Sequence, residues 1–212
     1  MWQRLSSGSL ANPGIDLAQA QHPMRKGYHL AMGRRNYLID GVSGAGKTAV
    51  CAELRRRGYQ AVDGDNELAY QGDPETGQPA DGLRHEHSAT FISEHHIWDV
   101  EKVNTLVANQ EEAVTFFCGG SQNSSKFIAL FDGVFVLAVD LDTSLRRIEE
   151  RVALDPTDWG GTPEELEITV SMYHTYHTKA ALPQNGTIID ATAPLERVVD
   201  EILRQSDAHN PR

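Results

Sequence analysis

Positive charge is scarce in this chain. Nineteen Lys and Arg stand against 30 Asp and Glu, for a formal net charge of −11 and a pI near 5.2. Nucleic-acid backbones are held by clustered Lys and Arg, so this balance excludes nucleic acid as the main partner. No apolar run approaches the roughly 20 residues that span a bilayer, so no membrane partner is expected. The first 33 residues lack the apolar stretch of a secretory leader. Cysteine is limited to Cys51 and Cys118. They form no C-x-x-C pair and are too few for a disulfide framework. Both are expected to be core thiols of a reducing compartment, the cytoplasm.

What is present is concentrated in eight residues. Gly41–Thr48 read Gly-Val-Ser-Gly-Ala-Gly-Lys-Thr, a complete G-x-x-x-x-G-K-[ST] phosphate loop. The β-prone run Asn36–Asp40 precedes it, and the helix-forming run Thr48–Arg57 follows. Gly41, Gly44 and Gly46 permit a tight loop whose N–H groups point inward. Ser43, Ala45 and Ala49 complete the cradle, and the helix start adds partial positive charge. Lys47 is expected on the β- and γ-phosphates and the Thr48 hydroxyl on Mg²⁺. ATP with Mg²⁺ is the expected cofactor pair. An Asn-Lys-x-Asp guanine motif is absent, and D-x-x-G occurs only as Asp158–Gly161, far downstream. Both argue against guanine.

At 212 residues the chain is long enough for one sizeable core. We expect a polar, partly mobile extension over 1–33, one domain over 34–205 and a frayed tail over 206–212. From Asn36 onward strands and helices alternate, the pattern of an α/β fold: a five-stranded parallel sheet flanked by helices. Strands are predicted at Tyr37–Asp40, Tyr59–Val62, Ala113–Cys118, Gly133–Leu141 and Thr187–Ile189. Residues 67–82 read as loop, 83–109 as two helical pieces and Ser124–Phe131 as a short helix. A charged helix is predicted over Thr143–Ala153. Thr162, Pro163 and Glu165 spell a capping box for the next, and Leu195–Gln205 is the last.

Ligands of open parallel sheets sit beyond the carboxyl ends of the strands. That selects Asp63-Gly64-Asp65, Gly119-Gly120 and Asp190-Ala191-Thr192 besides the phosphate loop. Together with Arg147-x-x-x-Arg151, these motifs in this order resemble the small-molecule kinases of the adenylate-kinase-like P-loop superfamily. In pattern they come nearest to shikimate kinase, with gluconate kinase and chloramphenicol phosphotransferase as relatives, over roughly residues 36–205. The resemblance implies that Asp63 supports Mg²⁺ and Asp65 takes a hydrogen bond from the acceptor hydroxyl. Gly119 and Gly120 let the acceptor lie against the backbone, Arg147 and Arg151 contact the nucleotide phosphates, and Asp190 and Ala191 lie by the adenine. An Asp-Gly turn capping a helix, an ordinary strand-to-helix turn and a solvated charged helix are the alternative readings of these segments.

Some features depart from that pattern. Residues 152–178 contain no Lys or Arg, and no carboxylate follows the third predicted strand. Gly160-Gly161 beside Trp159 are candidates for a mobile lid. Between Gly58 and Ser125 the only cations are Arg84 and Lys102. A nucleoside monophosphate needs several cationic partners, so the expected acceptor is a neutral or singly charged hydroxyl compound, with Arg84 a candidate contact. His85 and His87 flank Arg84 and are further candidates, Trp98 reads as core, and the histidine spacings fit no zinc site. The expected activity is ATP-dependent transfer to a hydroxyl of a small polar molecule, by a monomer or homodimer. The alternative is an ATP-binding regulatory switch with little transfer.

Overall fold

The structure, a computed structural model, describes residues 35–81, 87–109, 111–176 and 186–208. The expected N-terminal extension and Arg84 and His85 lie outside them. Strand β1 (Arg35–Asp40) leads through the glycine loop into helix α1 (Lys47–Arg56). Then follow β2 (Gln60–Asp63), the single turn α2 (Gly64–Glu67) and β3 (Ala69–Gln71). Helix α3 (Ala89–Glu94), β4 (His96–Trp98) and α4 (Val100–Ala108) come next. Strands β5 (Val114–Cys118) and β6 (Gly133–Ala138) lead to α5 (Leu141–Leu154) and α6 (Pro163–Tyr176). Strand β7 (Gly186–Asp190) and α7 (Leu195–Ala208) close the chain.

Five strands form one parallel sheet in the order β2-β5-β1-β6-β7. The fold class expected from the alternating pattern is present. Because β1 is central, its carboxyl end is where the strand order reverses, and the phosphate loop begins there. The inner strands β5, β1 and β6 are buried on both faces, so alternate residues feed two cores. Tyr37, Ile39, Phe116, Phe135 and Leu137 pack toward α1 and α7. Leu38, Val62, Phe117, Val134 and Val136 pack toward Trp98, Val103 and Phe127.

Three segments differ from expectation. Residues 67–82 were expected as loop and 83–109 as helix, yet β3 and β4 pair antiparallel as a small second sheet, Ala69 opposite Trp98. Each is three residues long, too short to display a period. Ser124–Phe131 is two 3₁₀ turns, set by burial of Phe127 and Phe131. The last helix passes Gln205: Ser206 is buried and its carbonyl accepts the Tyr37 hydroxyl at 3.0 Å. The capping box is formed as spelled: Thr162 N–H donates to Glu165 Oε2 at 3.1 Å and Glu165 N–H to Thr162 Oγ1 at 3.3 Å.

Candidate nucleotide and acceptor site

The phosphate loop is shaped by two conditions that only glycine meets. Gly44 and Gly46 have φ of 77° and 103°, and a Cβ on Gly44 would stand 2.5 Å from the Ser144 carbonyl oxygen. A residue with a side chain is strained there in conformation and in space. Gly46 N-caps α1 without a side-chain acceptor, so the first-turn N–H groups around Lys47, Thr48 and Ala49 stay available to phosphate oxygens. Ala45 is buried beneath the loop. The Lys47 ammonium donates to the carbonyls of Gly41 (2.8 Å) and Val42 (3.3 Å), holding the cation at the loop's mouth.

Helix α5 fastens the loop from outside. Ser144, wholly buried, donates to the Ser43 carbonyl at 2.7 Å. One turn on, Arg147 donates to the carbonyls of Gly44 (3.3 Å), Ala45 (3.2 Å) and Ala191 (2.9 Å). It thereby ties the loop to the segment after β7, where Asp190 caps its own turn through Thr192. Sequence reasoning missed Ser144, although its three-residue offset from Arg147 places both on one helical face.

Arg151 shares that face but goes elsewhere. Its Nη2 donates to the Trp159 carbonyl at 2.7 Å, and its Nε is 3.3 Å from Asp158 Oδ2. Glu165 accepts the Gly160 N–H, and Trp159 Nε1 donates to Thr169. The expected lid segment is therefore bound to α5 and α6 on several sides. Arg146 pairs with Glu150 in the solvated manner weighed as the alternative for this helix.

The Asp-Gly-Asp segment divides its carboxylates. Asp63, buried at the end of β2, lies on the α1 side, where its charge reaches Cys51. Thr48 lies one turn before Cys51 on the same helical face. Asp65 reaches the other way. Its Oδ1 accepts the Gly120 N–H at 3.2 Å and faces His96 Nε2 at 3.3 Å. Burial raises the Asp65 pKa, but the His96 imidazole, the Lys47 ammonium and the Gly120 amide together hold it below the ordinary carboxylate value. The charge of the phosphate-loop lysine thus reaches Asp65.

Gly119 (φ 150°) and Gly120 make room for these groups. A Cβ on Gly119 would come within 2.6 Å of Asp65 Oδ1 and of Trp98, and one on Gly120 within 2.9 Å of Asp40 Oδ1. Asp40 in turn accepts the Gly41 N–H at 2.7 Å. Trp98 is fully buried, as expected. His87 stacks on Phe91, ring centroids 4.2 Å apart. His96 and Asp40 were not expected here. Asp40 is signalled by a carboxylate directly ahead of the loop, whereas His96 depends on the undetected strand β4.

The donors fit Mg²⁺ arriving with a nucleotide. Thr48 hydroxyl and the Asp63 carboxylate are hard oxygens on one side of the loop. No group of three or more His, Cys, Asp or Glu among the described residues is arranged to hold a metal by itself. Among them, no helix is long and apolar enough to cross a membrane.

Comparison with known proteins gives a family. A family model described as AAA domain matches residues 38–169. No curated protein matches the sequence. Among solved structures, the M. mycoides deoxyadenosine kinase with bound dATP is similar at 14% identity and a TM-score of 0.47, over 81% of this chain and 99% of that one. The same enzyme with the products dCMP and a flexible dCDP is similar at 16% and 0.46, over 82% and 99%. The matched residues run from β1 through the glycine loop into α6, and the chain belongs to the AAA domain family, within the P-loop superfamily its motifs resemble.

Proposed function

We propose that the protein transfers the γ-phosphoryl group of ATP to a hydroxyl of a small neutral or singly charged molecule. The carrying observation is that Asp65, held by Gly120, lies within electrostatic reach of Lys47. A phosphate-neutralising cation and a carboxylate able to orient a hydroxyl thereby share one site.

In this reading the cradle Gly41–Ala49 binds the triphosphate and Lys47 neutralises its β- and γ-oxygens. Arg147 keeps the loop carbonyls turned outward, and Asp190-Ala191 border the base. Thr48 and Asp63 would hold Mg²⁺, which would supply positive charge to neutralise the phosphate oxygens. Asp65, Gly119 and Gly120 seat the acceptor, with Arg84 as a further contact. Carboxylates at Asp40 and Asp65 disfavour an anionic acceptor.

One observation favours a second reading, an ATP-binding regulator. Arg151 is engaged by Asp158 and Trp159, which leaves fewer cations for the transferred group. Incubation with Mg²⁺, γ-labelled ATP and a panel of sugars, nucleosides and aminoglycosides separates the two. Label is expected in an acceptor with the native chain and not with Lys47→Ala. Tight ATP binding without label transfer to any acceptor refutes the kinase reading.

A further inference from the structure

One ionisable group beside the acceptor carboxylate has no part in the chemistry so far. His96 Nε2 faces the same Asp65 oxygen, Oδ1, that accepts the Gly120 N–H. No hydrogen bond among the described residues falls on Oδ2. The position of His96 is itself fixed. Its carbonyl accepts the Gln122 N–H at 2.9 Å, and its strand pairs with β3 through Gln71. Two residues on, the buried Asn123 side chain accepts the Trp98 N–H at 3.0 Å and donates to the Trp98 carbonyl at 2.9 Å. Strand β4 is thus clamped to the very loop that carries Gly120, and both partners of Oδ1 come from one rigid unit.

Resting on the transfer reading above, we infer that His96 is a positioning residue: it holds Asp65 Oδ1 so that Oδ2 receives the acceptor hydroxyl. As the acceptor oxygen bonds to the γ-phosphorus, the bond from phosphorus to the β,γ-bridging oxygen breaks. Its electron pair leaves on ADP, and the hydroxyl proton passes to Asp65 Oδ2. His96 takes no proton in this step. Its donated hydrogen bond orients the carboxylate and keeps it anionic until transfer. The other charged groups around Asp65 are Lys47 from the phosphate loop, Asp40 across Gly120 and Asp63 on the preceding strand.

The test uses the intact chain with Mg·ATP alone, water serving as the acceptor, and the variants His96→Ala, His96→Gln and Asp65→Asn. His96→Ala should release phosphate about 10- to 100-fold more slowly at unchanged calorimetric ATP affinity. Glutamine, which keeps a donor near the Nε2 position, should recover most of the rate. In an Asp65→Asn background His96→Ala should cost nothing further, because the carboxylate it positions is gone. If His96→Ala matches the native rate, or costs as much again in the Asp65→Asn background, the inference is overturned while the transfer reading stands. If the native chain binds ATP and passes label neither to water nor to any acceptor of the panel, the transfer reading fails and the positioning role fails with it.

Discussion

Gly64→Ala probes the acceptor side most directly. A Cβ at Gly64 would stand 2.1, 2.5 and 2.7 Å from Cζ2, Cη2 and Cε2 of Trp98. The indole cannot swing aside. It is fully buried, lies parallel to Phe127 with centroids 5.5 Å apart, and its Cζ2 also sits where a Cβ on Gly119 would come within 2.6 Å. Overpacking of this kind costs about 1–3 kcal/mol. Alanine in place of helical glycine returns at most about 1 kcal/mol, and less in a one-turn helix. The net loss is therefore about 1–2 kcal/mol, a fall in Tm of roughly 2–8 °C for a domain of this size. Scanning calorimetry reads that directly. Acceptor-dependent turnover should fall further, since Asp65 adjoins Gly64 and His96 shares β4 with Trp98, while ATP affinity holds. Trp98→Phe destabilises alone but removes the ring that the methyl strikes. In the double variant the two effects should couple favourably by about 1 kcal/mol. A Gly64→Ala protein as stable as the native one, or strict additivity in the double variant, refutes the reasoning.

Three other outcomes are expected. Lys47→Ala should keep its fold by circular dichroism and lose about 10- to 100-fold in calorimetric ATP affinity, the worth of a charged hydrogen bond at about 1.5–3 kcal/mol; native affinity would remove Lys47 from the phosphate site. Arg147→Ala should lower Tm by several degrees and weaken ATP binding together, because three carbonyls lose their donor; loss of transfer with Tm and affinity intact would instead place Arg147 on the transferred phosphate. Glu53, hydrogen-bonded by Arg56 and Arg57, has its pKa drawn from 4.5 down to about 2. Its contribution is thus complete above about pH 4.5 and lost as pH falls toward 2, so the Tm difference between native and Glu53→Gln proteins should shrink across that interval, and a constant difference would contradict the pairing.

The nucleotide half of the site is legible because its geometry is local. Strand end, glycines with positive φ, lysine and helix start lie within thirteen consecutive residues, 36–48, and each choice of residue has a backbone reason. The half proposed for the acceptor is not local. Asp65 meets Gly120 55 residues away and His96 31 residues away, and Trp98 meets Asn123 25 residues away. Strands β3 and β4 carry those contacts without a readable period. Arg147 and Arg151 show the limit of helical spacing. The rule correctly puts them on one face, but it does not say that the chain returning after α5 captures Arg151 while the phosphate loop takes Arg147. Ser206 makes the same point at the far end. A polar residue in a polar tail is buried because the Tyr37 hydroxyl needs its carbonyl.

The spelling Asp-Gly-Asp gains a physical reason from the tertiary contacts. Along β2 alternate residues face opposite ways, with Ala61 on the α1 side and Val62 on the Trp98 side. Asp63 therefore points toward the α1 side, and its Oδ2 accepts the Asn66 side-chain amide at 3.0 Å. Were the strand to continue, Asp65 would follow it there. Instead α2 begins at Gly64, the chain turns, and Asp65 emerges over Gly120 and His96. The turn passes so close over the Trp98 indole that no Cβ fits. An ordinary helix-capping role explains one carboxylate. Neither Asp63 nor Asp65 caps α2 by its side chain, since the Asp63 side chain caps nothing and Asp65 is spent on Gly120 and His96. One carboxylate is sent to the α1 side of the sheet and the other to Gly120 and His96, and Trp98 requires the residue between them to be glycine.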